Sequence, residues 1–370
     1  MKPADALGLT APGAARSGAV PPVSFFEFWP GWMFYAPIVA QWLGLALRYR
    51  STALLTAANP AIVSGGLCGE SKLSILDQVA DPARELLASY TSLRTDPLRP
   101  EADPAAAEAA MAAAGLLYPV VAKPDIGCNG AGVRLIADRS QLARYLAAFP
   151  RGEVVMLQEF IPFEGEAGLF YIRAPDEACG RITSVTLKYP PVVVGDGRSC
   201  LRDLILADAR AGRVPGLYLA RLGPRLAEVP RQGEPVRLVF VGNHCKGAIF
   251  RDGTGHVTPA LIAAVEQLAR ALPEFYFGRL DVRFASPAAL ARGEGFRVIE
   301  INGAGSEATH VWDPATSLWQ AWRAQFFHYG EAWRIGAINR DRGARPAGLR
   351  ELWRLWRRQK RLMAAYPTHD

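Results

Sequence analysis

From about residue 60 the chain alternates two patterns: apolar residues at helical spacing, and short apolar runs bounded by turn residues, the habit of an α/β or α+β enzyme. "DPAAAEAAMAAAG" predicts an alanine-rich helix ended by Gly115. "YPVVAKP" and "GVRLI" predict two strands, and Ser140 is expected to cap the helix "QLARYLAAF". Ahead of these lies an apolar run of 23 residues, Phe25 to Leu47, whose one charge is Glu27 and which closes on Arg48 and Arg50. Its length would just span a bilayer, but Glu27, Pro30, Pro37 and Gln41 interrupt it and its aromatics suit an interface. The pattern predicts an amphipathic or re-entrant membrane-facing segment, with a buried helix pair as the next reading and a transmembrane helix third. Near the end, "LRELWRLWRRQKRLM" sets Leu349, Leu352, Trp353, Trp356 and Met363 on one helical face among arginines. Such a helix lies on an anionic membrane surface or partner, or docks its tryptophans on the core with its arginines in water.

Composition changes this picture in three places. At 370 residues and 50% hydrophobic content the chain can bury a sizeable core and is long enough for two or three domains. The net charge of +7 is local, because residues 340–361 hold nine Lys/Arg and two Asp/Glu and the remainder sums to zero. Cys68, Cys128, Cys179, Cys200 and Cys245 are scattered and odd in number, against a disulfide framework or zinc knuckle and in favour of reduced thiols in the cytosol. No histidine pair has metal-ligand spacing, and residues 1–22, rich in Ala, Gly and Pro, read as a disordered arm.

The candidate chemistry starts at "KPDIGCNGAG", Lys123 to Gly132, a glycine cluster behind a lysine. It joins strand to strand. A dinucleotide fold needs G-x-G-x-x-G between a strand and a helix, and a P-loop needs a lysine after its glycines, so both are excluded. What remains is a hairpin able to fold over phosphates with its N–H groups turned inward, or an ordinary glycine-rich turn. Support comes from "FGRLDVRF" and "FRVIEINGAG". Side chains two apart on a strand point the same way, which pairs Arg279 with Asp281 and Glu300 with Asn302. If adjacent, these strands present two carboxylates and an amide oxygen to one spot, a hard-oxygen set suited to magnesium beside a nucleotide.

With these elements the sequence resembles the ATP-grasp superfamily, and within it the D-alanine–D-alanine ligase and cyanophycin synthetase type of carboxylate-amine ligase. The resemblance runs from about Cys68 to Asp313 through "VVAKP", the glycine loop, "LQEFI", "EGE", "GRLDV" and "VIEIN" in order, with "YPPVVVGDGRSCLRDLI" as a further shared stretch. It implies an α+β fold of two subdomains clasping ATP, over 67–330, with a glycine-loop part at about 105–160 and a metal-site part at about 161–330. The segment 23–66 stands in place of the usual domain ahead of it, and 331–370 forms a basic helix and tail. The resemblance assigns Lys123 and Lys72 to nucleotide phosphates, and Gly127, Gly130 and Gly132 to loop closure. Glu159, Phe160 and Ile161 form the adenine hinge and Glu166 holds the ribose. Lys188 touches the outer phosphates and Arg279 the transferred phosphoryl group. Asp281, Glu300 and Asn302 hold two magnesium ions, or manganese, with Glu300 bridging. A rival reading of "GGLCGESKLS" makes Glu70 and Ser74 substrate contacts instead. Ser306, Glu307 and His310 are candidate substrate contacts, against ordinary roles as a helix cap and solvated loop residues. Relatives carry a proline-glycine pair where this chain has Ala304 and Gly305.

The activity implied is ATP-dependent joining of a carboxylate to an amine through an acyl phosphate, with ADP and phosphate released. The small-molecule carboxylate and amine are the expected partners, with an anionic membrane surface as the partner that the two ends suit; no nucleic acid is expected. The expected location is the cytoplasm, at the inner face of the membrane if the ends bind lipid. The competing readings are a kinase on the same fold and a nucleotide-binding membrane adaptor without turnover.

Overall fold

The computed structural model describes residues 23–239, 242 and 247–367; the arm over 1–22 lies outside them, as do His244, Cys245 and His369. The chain opens with helix α1 (Gly31–Tyr49) and the short α2 (Lys72–Leu76). The first sheet is built from β1 (Tyr90–Arg94), β2 (Val120–Pro124), β3 (Arg134–Ile136) and β4 (Val154–Glu159), with α3 (Asp103–Ala113) after β1 and α4 (Arg139–Ala148) after β3. Its order is β1-β4-β2-β3, antiparallel throughout. Ala107 and Met111 of α3 and Leu142, Tyr145 and Leu146 of α4 pack on Val120, Ala122, Val155 and Leu157 of the strands, which makes one apolar core. The expected strand–loop–strand unit is therefore a hairpin, with Val120 opposite Ile136. The cap of α4 is not Ser140. Asp138 fills that place, accepting from Gln141 N–H at 2.9 Å, and the Ser140 hydroxyl donates to the same carboxylate. An extended Asp one residue ahead of the first turn is positioned for the exposed N–H groups, and Ser140 is already inside the helix.

The second sheet gathers β5 (Gly165–Ile172), β6 (Arg181–Tyr189), β9 (Ile249–Asp252), β10 (Phe277–Phe284) and β11 (Phe296–Asn302) in the order β11-β10-β5-β6-β9. Between β6 and β9 the chain makes a satellite of β7 (Val192–Val194), α5 (Leu201–Ala207), α6 (Gly216–Leu222) and β8 (Pro235–Arg237) around its own core of Val193, Leu201, Ile205, Tyr218 and Val236. Helices α7 (Pro259–Ala271), α8 (Pro287–Ala291), α9 (Leu318–Asp341) and α10 (Leu349–Ala365) complete the chain. The period of two sets what each face does. Leu169 and Tyr171 of β5 and Leu280 and Val282 of β10 bury against Leu261, Val265 and Leu268 of α7. On the opposite face Phe170, Ile172 and Phe277 bury beneath Trp333 and Ile335 of α9, and the same face then continues as Glu166, Gly168, Arg279, Asp281 and Arg283 along the cleft. The fold is α+β, as expected.

At the two ends of the chain the structure removes one of the readings each pattern left open. The 25–47 run is no membrane span: among the described residues no helix is long and apolar enough to cross a membrane. One face of α1 packs along α9, with Trp322 Nε1 donating to Phe34 O at 3.0 Å and Gln41 Nε2 to Phe326 O at 2.7 Å. Gln41, an apparent interruption, is thus an inter-helix tie, and Glu27 forms a buried ion pair with Arg210. The basic helix α10 docks by Leu352, Leu355, Gln359, Leu362 and Tyr366, whereas Leu349, Trp353 and Trp356 are exposed with the arginines. The single apolar face read from the sequence is therefore two faces, and neither tryptophan docks on the core.

Candidate functional site

The two sheets and α2, with Tyr35 of α1 and Gln359 of α10, enclose a cleft of about 490 Å³. The β10–β11 register explains its most concentrated chemistry, because Arg279 sits opposite Asn302 and Asp281 opposite Glu300, with a bulge directly after. Arg279 grips Asp281 in a fork, Nε–Oδ1 at 2.8 Å and Nη2–Oδ2 at 3.0 Å. Lys188 Nζ adds 2.9 Å to Oδ1, and Asn302 Nδ2 donates to Oδ2 at 3.3 Å. Burial would raise the Asp281 carboxyl, but Arg279 and then Lys188 outweigh it and hold it well below the usual carboxylate range. Gly168, opposite Asp281 on β5, leaves the room for this cluster: a Cβ there would come within 2.9 Å of Arg279 Cδ and 3.2 Å of Asp281 Oδ1.

One row further along, Arg283, Glu166 and Lys188 stand side by side on β10, β5 and β6. Glu166 accepts from Lys188 at 3.3 Å and pairs with Arg283 at 3.2 Å. Across the cleft Lys123 on β2 donates to Gln158 Oε1 at 2.6 Å and to Ile299 O at 3.3 Å. Burial pulls its ammonium down to about 8, against the nearby Glu300 carboxylate. Lys72, on the first turn of α2, donates to Gly127 O and lies 3.6 Å from Glu300. Gly127, Asn129, Gly130 and Gly132 all take positive φ, so the loop needs its glycines for its path, and Asn129 tolerates its own. At the hinge the Glu159 N–H is already donated to Ser89 O, while the Ile161 N–H finds no partner among the described residues.

Glu307 closes the far end, where Tyr35 Oη and Gln325 Nε2 donate to its Oε1 at 2.8 and 3.2 Å. Ser306 is less available, its hydroxyl donating to Gly303 O at 2.6 Å. The structure brings Lys72, Lys123, Gly127, Gly130, Glu159, Phe160, Ile161, Glu166, Lys188, Arg279, Asp281, Glu300, Asn302, Ser306 and Glu307 to one cleft. Gly132 lies behind the loop under Tyr366, and His310 is half-buried near Asp252 and Asp313 while Thr309 and Trp312 take the wall. Glu70 does line the cleft; burial pushes its carboxyl up, and its Oε2 has no partner in the described structure. The ordering of its segment explains the position, since Ala304 and Gly305 N–H donate to Gly65 and Gly66 carbonyls at 2.9 and 2.7 Å. Sequence reasoning missed Tyr35, Gln158, Gly168, Arg283, Gln325 and Gln359. Only Gly168, a glycine inside a strand pattern, carried a readable signal.

Among the described residues no group of three His, Cys, Asp or Glu forms a ready metal cage. The donor set still fits a hard cation that is shared with a ligand. Among the described residues Glu300 makes one ion pair, with Lys72 at 3.6 Å, beside the nearby Lys123 ammonium, and Asn302, donating through Nδ2, leaves its Oδ1 without a partner.

No protein-family model and no curated protein matches the chain. Solved structures do. A bifunctional glutathione synthetase from Pasteurella multocida is 19% identical with a TM-score of 0.35, over 71% of this chain and 38% of its own. The VanG D-Ala:D-Ser ligase from Enterococcus faecalis is 15% identical with a TM-score of 0.36, over 70% and 63%. The D-cycloserine synthetase DcsG is 18% identical with a TM-score of 0.36, over 75% and 70%. The chain thus spans less than two thirds of the first two, and these scores describe a shared course of part of the backbone and no more. Six separated motifs of the sequence meet in this cleft between two antiparallel sheets.

Proposed function

We propose that the protein is an ATP-dependent carboxylate-amine ligase of the ATP-grasp type. One observation carries the reading: Lys72, Lys123, Lys188 and Arg279 converge on a cleft whose floor sets Asp281 beside Glu300 and Asn302, the balance of charges that a polyphosphate and its counter-ion demand. Among the described residues the arrangement includes no activated nucleophile. The Ser306 hydroxyl is spent on Gly303 O, and burial pushes the Cys68 and Cys128 thiols up.

In this mechanism the Ile161 N–H donates to the adenine edge and Glu166, paired with Lys188 and Arg283, accepts from the ribose hydroxyls. Lys72 and Lys123 bind the phosphates under the glycine loop, which excludes water. A substrate carboxylate oxygen attacks the γ-phosphorus, the bond to ADP breaks, and Arg279 and Lys188 stabilise the charge on the transferred group. The amine then attacks the acyl carbon, phosphate leaves with the bonding pair, and the amine proton goes to solvent or to Glu70, whose raised carboxyl suits proton exchange. Asp281, Glu300 and Asn302 would hold magnesium, or manganese, which when bound neutralises charge on the phosphates.

The test is ADP formation across pairs of carboxylates and amines. ADP release that depends on the amine, with amide as product, is expected, and Glu300→Gln should lower it by about a hundredfold or more. A stable phosphorylated product formed without amine would make the protein a kinase instead. ATP turnover unchanged in Glu300→Gln would sink the metal assignment.

A further inference from the structure

The outer faces of α1 and α10 are unlike the rest of the surface. On α1 the exposed positions Trp32, Ala36, Val39, Ala40, Leu43, Gly44 and Leu47 form a stripe with no polar side chain, and Trp32, Val39, Leu43 and Leu47 are 74%, 54%, 63% and 81% exposed. Trp319 and Phe327 of the neighbouring α9 are exposed as well, at 68% and 43%. The only acid between residues 23 and 60 is Glu27, buried against Arg210, so the exposed charges that follow the stripe within this segment are Arg48 and Arg50. On α10 the exposed Trp353 and Trp356 lie under Arg357 and Lys360, at 4.6 and 5.7 Å from the ring centres. Among the described residues Arg350, Arg354, Arg357, Lys360 and Arg361 pair with no carboxylate, whereas Arg358 is bound to Glu153. The end of α1 and the approach to α10 are tied to neighbouring parts of the chain. Arg340 donates to Tyr49 O at the end of α1, and Ala347 N–H to Thr56 Oγ1 just before α10, both at 2.8 Å.

We propose that this surface seats the protein on an anionic lipid bilayer, with the α1 stripe entering the headgroup–acyl boundary and the α10 cations holding acidic headgroups. Interfacial helices bind through buried apolar area plus attraction to anionic lipid, with tryptophan at the boundary. Here α1 needs no polar face of its own, because its other side is already packed on α9. A second copy of the chain would cover the stripe but would set unpaired arginines against their own kind. Nucleic acid would answer the arginines and leave Leu43 and Leu47 in water.

The experiment is co-sedimentation of the full chain with vesicles of phosphatidylcholine alone and with one quarter phosphatidylglycerol. Binding to the mixed vesicles and not to the neutral ones is expected. Arg354→Gln with Arg361→Gln should weaken it about thirtyfold, at roughly one kcal/mol for each cation near the surface. Leu43→Ser with Leu47→Ser should weaken it by a similar factor through lost insertion, and ADP formation in solution should be unchanged in both variants. No binding to mixed vesicles, or equal binding to neutral ones, would overturn the proposal. A lipid-indifferent dimer dissolved by Leu43→Ser would assign the stripe to a second copy, and tighter binding to an oligonucleotide than to vesicles would assign α10 to nucleic acid.

Discussion

At the scale of single residues, Lys123 is the most informative group because its burial and its role oppose each other. Enclosed by Gln158 and Ile299 O, its ammonium is pulled down to about 8 by desolvation, and Glu300 only partly restores it. The lysine is therefore charged at neutral pH and loses its proton within reach of ordinary buffers. In the free protein, affinity for a non-hydrolysable ATP analogue should fall as pH rises through 8, and Lys123→Met should bind weakly at every pH with that limb gone. The linkage to stability has the opposite sense. Between about 8 and the unfolded value near 10.5 the unfolded chain binds the extra proton, so folding stability contributed by this group rises with pH across that window. A titration followed by calorimetry checks the first statement; a binding curve flat from pH 7 to 9 would contradict it.

Elements show why some of this was legible in the sequence and some was not. The β2–β3 hairpin, α3, β10 and β11 are each specified by local pattern and punctuation, and the alternation along "RLD" and "EIN" was enough to put the right side chains on one face. Helix α10 was misread because its sequence supports two apolar stripes, Leu352/Leu355/Leu362 and Leu349/Trp353/Trp356, and only the tertiary partner decides between them. That partner is the Gly69 turn ahead of α2 together with the glycine loop. Leu355 lies against Gly69, Gln359 accepts from Gly69 N–H at 2.7 Å, and Tyr366 donates to Ile126 O at 2.6 Å while its ring stacks on Phe149. Nothing near residues 123–132 in sequence announces a clasp from 240 residues away. Tyr366→Phe should remove about one kcal/mol of this hold by leaving the Ile126 carbonyl unanswered, and so raise the ATP KM about fivefold with the fold intact. Steady-state ADP formation measures it; an unchanged KM would show that the clasp has no bearing on the loop's closure.

For the whole molecule the question is whether residues 23–66 are an appendage or part of the fold, and the contacts answer in favour of the fold. Glu27 reaches Arg210 in the satellite, Tyr35 reaches Glu307 at the cleft, and Asn339 of α9 donates to the Ala57 and Ala58 carbonyls. Asn59 does the most. It is fully buried, its Nδ2 donates to Gly65 O at 3.0 Å and Phe277 O at 2.8 Å, and its Oδ1 accepts from Tyr276 and Phe277 N–H at 2.9 and 3.0 Å. One amide thereby ties the N-terminal segment to the start of β10, two residues before Arg279, and to the Gly65–Gly66 turn that holds Ala304 and Gly305. Asn59→Ala takes their partner from Phe277 O and from the Tyr276 and Phe277 N–H groups, while Gly65 O keeps Ala304 N–H; at about one kcal/mol or more each, the loss should be about 3 kcal/mol. If the segment belongs to one cooperative unit, thermal unfolding of the variant stays a single transition at lower Tm, and nucleotide binding is lost at the same temperature as the far-ultraviolet signal. Two separated transitions, with nucleotide binding surviving the first, would mean that residues 23–66 come away alone and that the cleft does not depend on them.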